Sequence, residues 1–423
     1  MSLSWVGSAK TRLLYYEDPY LKEFKSRVVA SHAEGGKLYV VLEETCFHPE
    51  GGGQPGDTGV LEWSGGTLRV VDTQPAGSAV VHVCEGRQLP KVGELVSGRI
   101  DWGRRYQLMK SHTASHIVFS AARRVLGVER LVYMGFQIAL EKTRIDLSYG
   151  RPIAREQLER IEQLANTVAM EGRRVRWWTM SREEAERRYG SKLGVTEVTP
   201  AGEVRVVEVE GWDVSLCSGT HVKLTSEVAP IRILGRMRLQ KGVERLEFAA
   251  GEPAYRAMAQ QLKLAEQAAK AMGVSLDKLP AAAEAAARER SRLKKELAKL
   301  GGQLAEYVAE ELARSAVELG KVRYAVGELK LPPDALKKAA LTATAKNPEL
   351  VAILGSGNAL AIAAGAKAVE AGVSCIQLFK EATRGGKGGG GARFAQGVAG
   401  GRLEEALREA VAALRRMLGV EAL

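Results

Sequence analysis

One uninterrupted segment near the start of the chain carries two of its six histidines and constrains the fold most strongly. The segment from Arg104 to Leu126 contains no glycine or proline, and its apolar residues recur at roughly helical spacing, which predicts a helix. His112 and His116 stand four residues apart in it. Because residues at this spacing lie one turn apart on one helix face, they can offer two ring nitrogens to one metal ion. Such a pair is also common on an ordinary polar face.

A second motif later in the chain repeats the same spacing. The segment LCSGTHV places Cys217 and His221 four residues apart, on either side of Gly219. Three imidazoles and one thiolate are a normal zinc ligand set, because zinc favours mixed nitrogen and sulfur ligands at four-coordinate geometry. The two motifs together predict a zinc site formed by His112, His116, Cys217 and His221.

The residue after the first histidine narrows the kind of zinc site. A metalloprotease of the zincin class needs a glutamate there as general base, and this chain has Thr113. A zincin is therefore not expected. A purely structural zinc stays open, because four protein ligands can close the coordination sphere and leave no position for water.

A third motif, TCFHPEGGGQPGDTG from Thr45 to Gly59, contains three consecutive glycines. Glycine tolerates a positive φ and lets backbone N–H groups approach a ligand closely. The motif lacks both the Gly-Lys-Ser/Thr ending and the following helix of a phosphate-binding loop. It is typical both of a ligand-binding loop and of a glycine-rich hairpin in a barrel.

Composition and charge indicate a folded protein with a polyanionic partner. The chain has 423 residues, a length too great for one ordinary core. Its residues are 45% hydrophobic and 26% charged, as in folded proteins. Its net charge of +11 favours binding to phosphates, although a solvated basic surface explains it as well. The four cysteines include no close pair, which argues against a disulfide framework. The absence of a signal peptide and of long apolar runs predicts a cytosolic protein without membrane contact.

Patterns along the chain predict an α+β fold in four parts. Short valine-rich runs separated by turn residues fill residues 1–100 and indicate a small β-barrel. Mixed helices and strands follow over residues 101–250. Residues 251–319 predict two helices joined by a turn, and residues 320–423 an α/β globular unit with a low-complexity loop from Thr383 to Phe394.

The second helix of the predicted pair carries a coiled-coil seam. Its apolar residues alternate at steps of four and three: Leu293, Leu297, Leu300, Leu304 and Tyr307. Gly301 and Gly302 weaken this pattern. The seam could pack either against the first helix or against a second copy of the chain, and the pattern favours neither. A homodimer through the helical and C-terminal region is therefore one expectation.

In their order and spacing, five motifs resemble the editing domain of alanyl-tRNA synthetases and the free-standing AlaX proteins. They are TCFHPEGGGQPGDTG, SHTASH, RID (Arg144–Asp146), LCSGTHV and KGVERLEFAAG (Lys241–Gly251). The opening TRLLYYEDPYLKEFKSRVV looks like the start of an archaeal AlaX. The C-terminal part resembles the C-terminal domain of alanyl-tRNA synthetase, so the likeness covers nearly the whole chain and matches the long form of AlaX.

The resemblance implies a trans-editing hydrolase that removes serine, and often glycine, from mischarged tRNA(Ala), with Zn²⁺ as cofactor. It places the zinc on the four residues named above, the pocket threonine on Thr45 and a motif glutamine on Gln54. The backbone N–H groups of Gly51, Gly52 and Gly53 are expected to receive the developing oxyanion. Nothing resembles the class II aminoacylation domain, so the chain is expected to edit and not to charge.

Two other functions compete with this expectation. The first is a non-catalytic tRNA-binding protein with a structural zinc, which would bind tRNA without turnover. The second is a phosphodiesterase of the DHH type, which needs an Asp-His-His motif that this chain lacks. The first rival stays open.

Cations near aromatic or glycine-rich segments are the expected tRNA contacts, since cations meet phosphates and aromatic rings stack on bases. They lie in RRVRWW and in the C-terminal loop: Arg173, Arg174, Arg176, Arg384, Lys387 and Arg393. Tryptophans such as Trp177 and Trp178 more often belong to a core.

Three positions depart from the family pattern. His48 replaces the usual tyrosine, and Ser218 replaces the first glycine of Cys-Gly-Gly-Thr-His. In the C-terminal loop, Ala392, Arg393 and Phe394 stand where Pro-Asp is common.

Overall fold

The computed structural model describes most of the chain, namely residues 4–128, 131–190, 193–194, 202–383 and 386–420. The chain divides into two compact units, Met1–Gln267 and Ala268–Leu423. The fold is mixed α/β and includes a closed six-stranded barrel. The finer division into four parts stays a prediction.

The first unit opens with a closed antiparallel barrel. The strands of this region are β1 (Arg12–Leu13), β2 (Glu23–Glu34), β3 (Lys37–Leu42), β4 (Glu44–Thr45), β5 (Gly59–Trp63), β6 (Gly66–Ala76), β7 (Ala79–Glu85) and β8 (Leu95–Ile100). The barrel runs in the order β2-β3-β7-β6-β5-β8, and β1 pairs in parallel with β4 beside it. Val40, Leu42, Leu61 and Leu68 fill its interior. A barrel therefore occupies the region where alternating valine-rich runs predict one.

Helices and two four-stranded sheets complete the first unit. Its further elements are α1 (Trp102–Leu126), β9 (Tyr133–Gln137), β10 (Thr143–Ser148), α2 (Arg155–Met170), β11 (Val175–Ser181), α3 (Arg182–Tyr189), β12 (Leu193–Gly194), β13 (Glu203–Val209), β14 (Asp213–Leu216), β15 (Ile231–Gln240) and β16 (Val243–Ala250). One sheet has the order β15-β16-β10-β9, and the other β11-β13-β14-β12. Phe119 of α1 packs with Ile145, Leu246 and Phe248 in the largest core of this unit.

Helix α1 has defined stops at both ends. The Asp101 side chain accepts a hydrogen bond from the backbone N–H of Arg104, which caps the first turn. Gly127 ends the helix with φ 66°, a left-handed conformation that glycine adopts without a Cβ penalty. The helix predicted from Arg104 to Leu126 is thus confirmed and begins two residues earlier.

Helices and a six-stranded sheet form the rest of the chain. The elements are α4 (Glu252–Ala271), α5 (Leu279–Arg314), β17 (Val317–Leu319), β18 (Val322–Glu328), α6 (Pro333–Lys346), β19 (Leu350–Ser356), β20 (Ala359–Ala364), α7 (Ala366–Glu370), α8 (Cys375–Thr383), β21 (Gly388–Gly390), β22 (Phe394–Val398) and α9 (Leu403–Met417). The sheet order is β17-β18-β19-β20-β22-β21. Two separate cores, one with α6 and one with α8 and α9, cover the two faces of this sheet. Among the described residues, no helix is both long enough and apolar enough to cross a membrane.

The glycine-rich C-terminal segment is more ordered than predicted. The loop prediction for residues 383–394 is wrong for β21, which pairs with β22 at the sheet edge. A Cβ atom at Gly388 or Gly397 would overlap the ring of Phe379, so glycine is needed for the two strands to pack on α8. Composition alone does not reveal this aromatic neighbour.

The coiled-coil seam of α5 is exposed. Leu297 is 65% exposed and Tyr307 is 69% exposed, and Leu293, Leu300 and Leu304 are also exposed. Whether the first helix or a second copy of the chain packs on this seam stays a prediction.

A fully buried ion pair joins the barrel region to α1. Arg105 of α1 and Asp57 have 0% and 1% of their side chains exposed. Arg105 also donates to the carbonyls of Pro19 and Cys46. Asp57 in addition accepts the backbone N–H of His48 at 2.6 Å. Because both charges have several partners, the cost of their burial is offset.

Replacing Asp57 with Ala should destabilise the first unit by about 3–5 kcal/mol, because it leaves the Arg105 charge buried without its carboxylate. All six tryptophans lie between residues 5 and 212, so their fluorescence during urea unfolding reports on this unit. Glu17→Ala, which breaks the exposed Arg12–Glu17 pair, is the matched control and should cost less than about 1 kcal/mol. Equal shifts for both variants would contradict a special role for the buried pair.

Candidate metal centre

The four residues predicted from their spacing come together in the first unit. His112 and His116 lie on α1, and Cys217 and His221 lie in the loop that follows β14. Their ligand atoms all lie within 4.8 Å of one another. The sulfur of Cys217 is 3.2 Å from Nε2 of His112 and 3.3 Å from Nε2 of His221. This group can hold a metal ion.

Each histidine of the group is oriented by an oxygen at its Nδ1 atom. The pairs are His112 with Gln54 Oε1 at 2.8 Å, His116 with Asp213 Oδ2 at 2.9 Å and His221 with Thr113 Oγ1 at 3.1 Å. Because Nδ1 faces an oxygen in all three rings, Nε2 is the nitrogen available to a metal. Thr113, the residue that argues against a zincin, thus orients the fourth ligand.

Asp213, which contacts His116, also accepts hydrogen bonds from two serines. Its carboxylate accepts hydrogen bonds from Ser120 at 2.6 Å and Ser215 at 2.9 Å as well as from His116. Burial acts to raise the pKa of Asp213, but these hydrogen bonds outweigh it and lower the pKa below the ordinary value. Asp213 is absent from the residues predicted from the sequence, although a carboxylate four positions before Cys217 is a signal that could have identified it.

Gln54 connects the glycine-rich motif to both halves of the metal group. Its Oε1 atom accepts from His112 and from the backbone N–H of Thr220 at 3.1 Å, and its Nε2 atom donates to Thr220 Oγ1 at 2.8 Å. Gln54 and Thr220 have no exposed surface. These contacts make Gln54 a support for His112.

The glycine-rich motif turns tightly beside the Cys217 loop. Gly51 and Gln54 exchange both backbone hydrogen bonds at 3.0 Å, and Gly52 and Gly53 have φ values of 55° and 69°. A Cβ atom at Gly52 would lie 3.2 Å from the hydroxyl of Ser218. The Gly51 amide is thus committed to Gln54, whereas among the described residues the amides of Gly52 and Gly53 have no hydrogen-bond partner.

The charge states of Cys217 and His221 suit metal binding. Burial acts to raise the pKa of the Cys217 thiol, but His112 and His221 outweigh it and hold the pKa well below the ordinary value. Burial lowers the pKa of His221 to about 3. A thiolate and a neutral imidazole are the forms that bind a metal. Burial acts to lower the pKa of His116, but Asp213 and Cys217 outweigh it and raise the pKa to about 10, so a metal has to displace a proton from this ring.

Arg205 of β13 donates hydrogen bonds to the backbone of the Cys217 loop. It is 6% exposed and donates to the carbonyls of Cys217 at 3.0 Å and Gly219 at 2.7 Å. The rings of Tyr16 and Trp177 flank its guanidinium at 5.3 and 5.6 Å. Arg205 is also absent from the residues predicted from the sequence. Its partners are backbone carbonyls 12 and 14 positions away, and no short sequence pattern identifies such contacts.

Thr45 and His48 are both buried. Thr45 has no exposed surface, and its hydroxyl lies 2.9 Å from Nε2 of His82. The His48 ring packs edge-on against Tyr15 at 5.1 Å, and its Nδ1 atom has no partner among the described residues. Burial, reinforced by the charges of Arg105 and His112, holds the pKa of His48 well below the ordinary value.

The expected tRNA contacts differ in their surroundings. Arg173 pairs with Glu171 at 2.5 Å and Arg176 with Glu210 at 3.2 Å, while Arg174 is exposed. Trp177 and Trp178 pack against apolar cores, as the core interpretation expects. Lys387 and Arg393 are exposed on the glycine-rich hairpin, and Arg384 lies outside the described residues.

Two family models match the chain. The model "tRNA synthetases class II (A)" matches residues 8–104, which include the barrel. The model "Threonyl and Alanyl tRNA synthetase second additional domain" matches residues 204–247, which include Cys217 and His221.

Curated relatives match over most of the chain. The alanine–tRNA ligase of Thermococcus kodakarensis is 39% identical over 413 residues, covering 97% of this chain and 44% of the relative. That of Pyrococcus furiosus is 40% identical over 319 residues, covering 75% of this chain and 34% of the relative. The chain thus spans less than half the length of these relatives. A solved structure, the C-Ala domain of Aquifex aeolicus alanyl-tRNA synthetase, is 21% identical with a TM-score of 0.22, covering 25% of this chain and 97% of that domain.

Replacing Asp213 with Asn should weaken metal binding by about 10–100-fold, because the carboxylate that orients His116 is lost. Competition with a chromogenic chelator measures this affinity. Glu210→Gln, which neutralises an exposed carboxylate nearby, is the matched control and should leave the affinity near that of the unchanged protein. Similar affinities for both variants would show that Asp213 does not support the metal group.

Proposed function

The chain belongs to the family of alanine–tRNA ligases and AlaX-like proteins, and from this premise we propose that it hydrolyses the ester bond between tRNA(Ala) and a wrongly attached amino acid. The observation that carries the proposal is the metal-binding group, assembled beside the glycine-rich turn. Serine and glycine are the proposed amino acids. An alanine pocket cannot readily reject the smaller glycine, and it rejects an added hydroxyl by only ~10²-fold, so a second, hydrolytic site is needed.

Zn²⁺ is the proposed metal. Three imidazoles and one thiolate are its usual ligands, and the 4.8 Å span of the ligand atoms is close to the reach of one ion bonded at ~2.0–2.3 Å. When bound, zinc acts as a Lewis acid that polarises an ester carbonyl or a water molecule. Cys217 is only partly buried and Ser218 is exposed, so an ester can approach the group from this side.

The protein's own groups would divide the remaining work. Gln54 and Asp213 hold His112 and His116 in the orientation that a metal requires. The amides of Gly52 and Gly53 would receive the negative charge that develops on the ester oxygen. Thr45 would pair with the seryl hydroxyl, a partner that an alanyl group does not offer.

The wider setting is also proposed. The chain would edit without aminoacylation: its match to the class II model is confined to residues 8–104, which form the barrel region and the start of α1. It would act in the cytosol on mischarged tRNA(Ala). Exposed cations such as Arg174, Lys387 and Arg393 would contact the tRNA, and the exposed seam of α5 would support a homodimer.

Cys217→Ala and His116→Ala should each lose bound metal and lower the deacylation of Ser-tRNA(Ala) by at least about 10²-fold, since metal polarisation contributes several kcal/mol. Metal analysis and a deacylation assay with radiolabelled serine measure the two effects. Cys375→Ala, a buried cysteine of the second unit, is the control. Full turnover after metal loss would exclude a catalytic metal. An unchanged protein that binds tRNA without turnover would support the non-catalytic alternative.

Thr45→Val should raise the hydrolysis of Ala-tRNA(Ala) relative to Ser-tRNA(Ala) by about tenfold, because the proposed hydrogen bond between Thr45 and the seryl hydroxyl is lost. The ratio of kcat/KM for the two substrates measures this change. Thr73→Val is the control, because Thr73 is another fully buried threonine of the barrel and its hydroxyl donates to the Asp57 carbonyl. An unmoved ratio in Thr45→Val would remove Thr45 from substrate recognition.

A further inference from the structure

His82 is a buried polar residue that the proposed chemistry does not use directly. It lies on β7 with no exposed surface and packs edge-on against the ring of Phe47 at 5.1 Å. Its Nδ1 atom is 3.0 Å from the carbonyl oxygen of Val40, and its Nε2 atom is 2.9 Å from the hydroxyl of Thr45. Burying an imidazole costs more than burying an apolar ring of similar size, so its polar contacts need an explanation.

The contact with Val40 determines which nitrogen of His82 carries the proton. A carbonyl oxygen only accepts hydrogen bonds, so Nδ1 is the protonated nitrogen. Burial lowers the pKa of His82 to about 4, so the ring is neutral near pH 7. Nε2 then has no proton and can only accept. The hydroxyl of Thr45 therefore donates its hydrogen to His82.

This direction limits what Thr45 can offer to a ligand. A threonine hydroxyl has one hydrogen and two lone pairs. The hydrogen is used by His82, and one lone pair accepts the backbone N–H of Phe47 at 3.1 Å. One lone pair remains, so Thr45 can only accept a hydrogen bond from a ligand.

We infer that His82 is a positioning residue that makes Thr45 an acceptor and thereby selects aminoacyl groups that donate a hydrogen bond. A seryl hydroxyl donates to the remaining lone pair, whereas an alanyl methyl group and a glycyl group have nothing to donate there. The inference rests on the proposed function, because Thr45 meets an aminoacyl group only if the site receives one.

The path of the chain connects Thr45 to the metal group. The segment that begins at Thr45 ends at Gln54, which contacts His112. Thr45 itself is fully buried, so the inference requires a seryl side chain to reach the Thr45 hydroxyl while its ester lies near Cys217.

The test compares two substitutions of His82 that differ only in reach. In His82→Gln the side-chain carbonyl can take the place of Nε2 and accept from Thr45. In His82→Asn the amide matches the Nδ1 position and does not reach Thr45. The Asn variant should lower the ratio of kcat/KM for Ser-tRNA(Ala) over Gly-tRNA(Ala) by about tenfold, and the Gln variant should retain most of it.

Two controls separate positioning from stability. Val81→Ala removes packing from the adjacent, fully buried residue of β7 and should lower stability without moving the seryl-to-glycyl ratio. The double variant Thr45→Val/His82→Asn should have the same ratio as Thr45→Val alone, because His82 acts through Thr45. Equal losses in the Gln and Asn variants, or additive losses in the double variant, would overturn the inference.

A binding measurement keeps this inference separate from the proposed hydrolysis. The probes are 3′-amino-3′-deoxyadenosine carrying serine or glycine through an amide bond, titrated into the zinc-loaded protein by calorimetry. A preference for the seryl probe that His82→Asn removes supports the role of His82, even if the protein hydrolyses neither tRNA and the proposed function fails. Equal affinity of the unchanged protein for both probes overturns the role, whatever the hydrolysis assay shows.

Discussion

The buried pair of Arg105 and Asp57 is the interaction on which the arrangement of the site depends. Arg105 belongs to the helix that carries His112 and His116, and Asp57 belongs to the glycine-rich motif that carries Gln54. The pair therefore joins the motif to the helix in the arrangement in which Gln54 contacts His112. A charge pair suits this task because it specifies partners, whereas apolar contacts alone tolerate sliding.

The three histidines of the metal group are oriented by residues from separate elements. Asp213 begins β14, Gln54 lies in the turn after β4, and Thr113 is on α1 itself. Each contacts Nδ1 of a different histidine, so each ring is fixed independently of the others. The fold thus supplies a separate oxygen to orient each ring, which favours a defined geometry around a bound ion.

The parts of this site that sequence could predict are those that depend on short spacing. His112 and His116 lie one helical turn apart, so their shared face follows from local geometry. Gln54 and His112 are 58 positions apart and His116 and Asp213 are 97 apart, and no local pattern specifies such pairs. The same reason explains the wrong loop prediction for the C-terminal glycines, whose packing depends on Phe379. Alternating valines predicted a barrel, but not that a polar His82 would lie inside it.

Positions 218 and 219, which follow Cys217 in its loop, differ in the space around them. Ser218 is exposed, whereas a Cβ atom at Gly219 would overlap the ring of His112. Position 218 therefore has room for a side chain beside the metal group, whereas position 219 admits glycine alone as long as His112 stays in place.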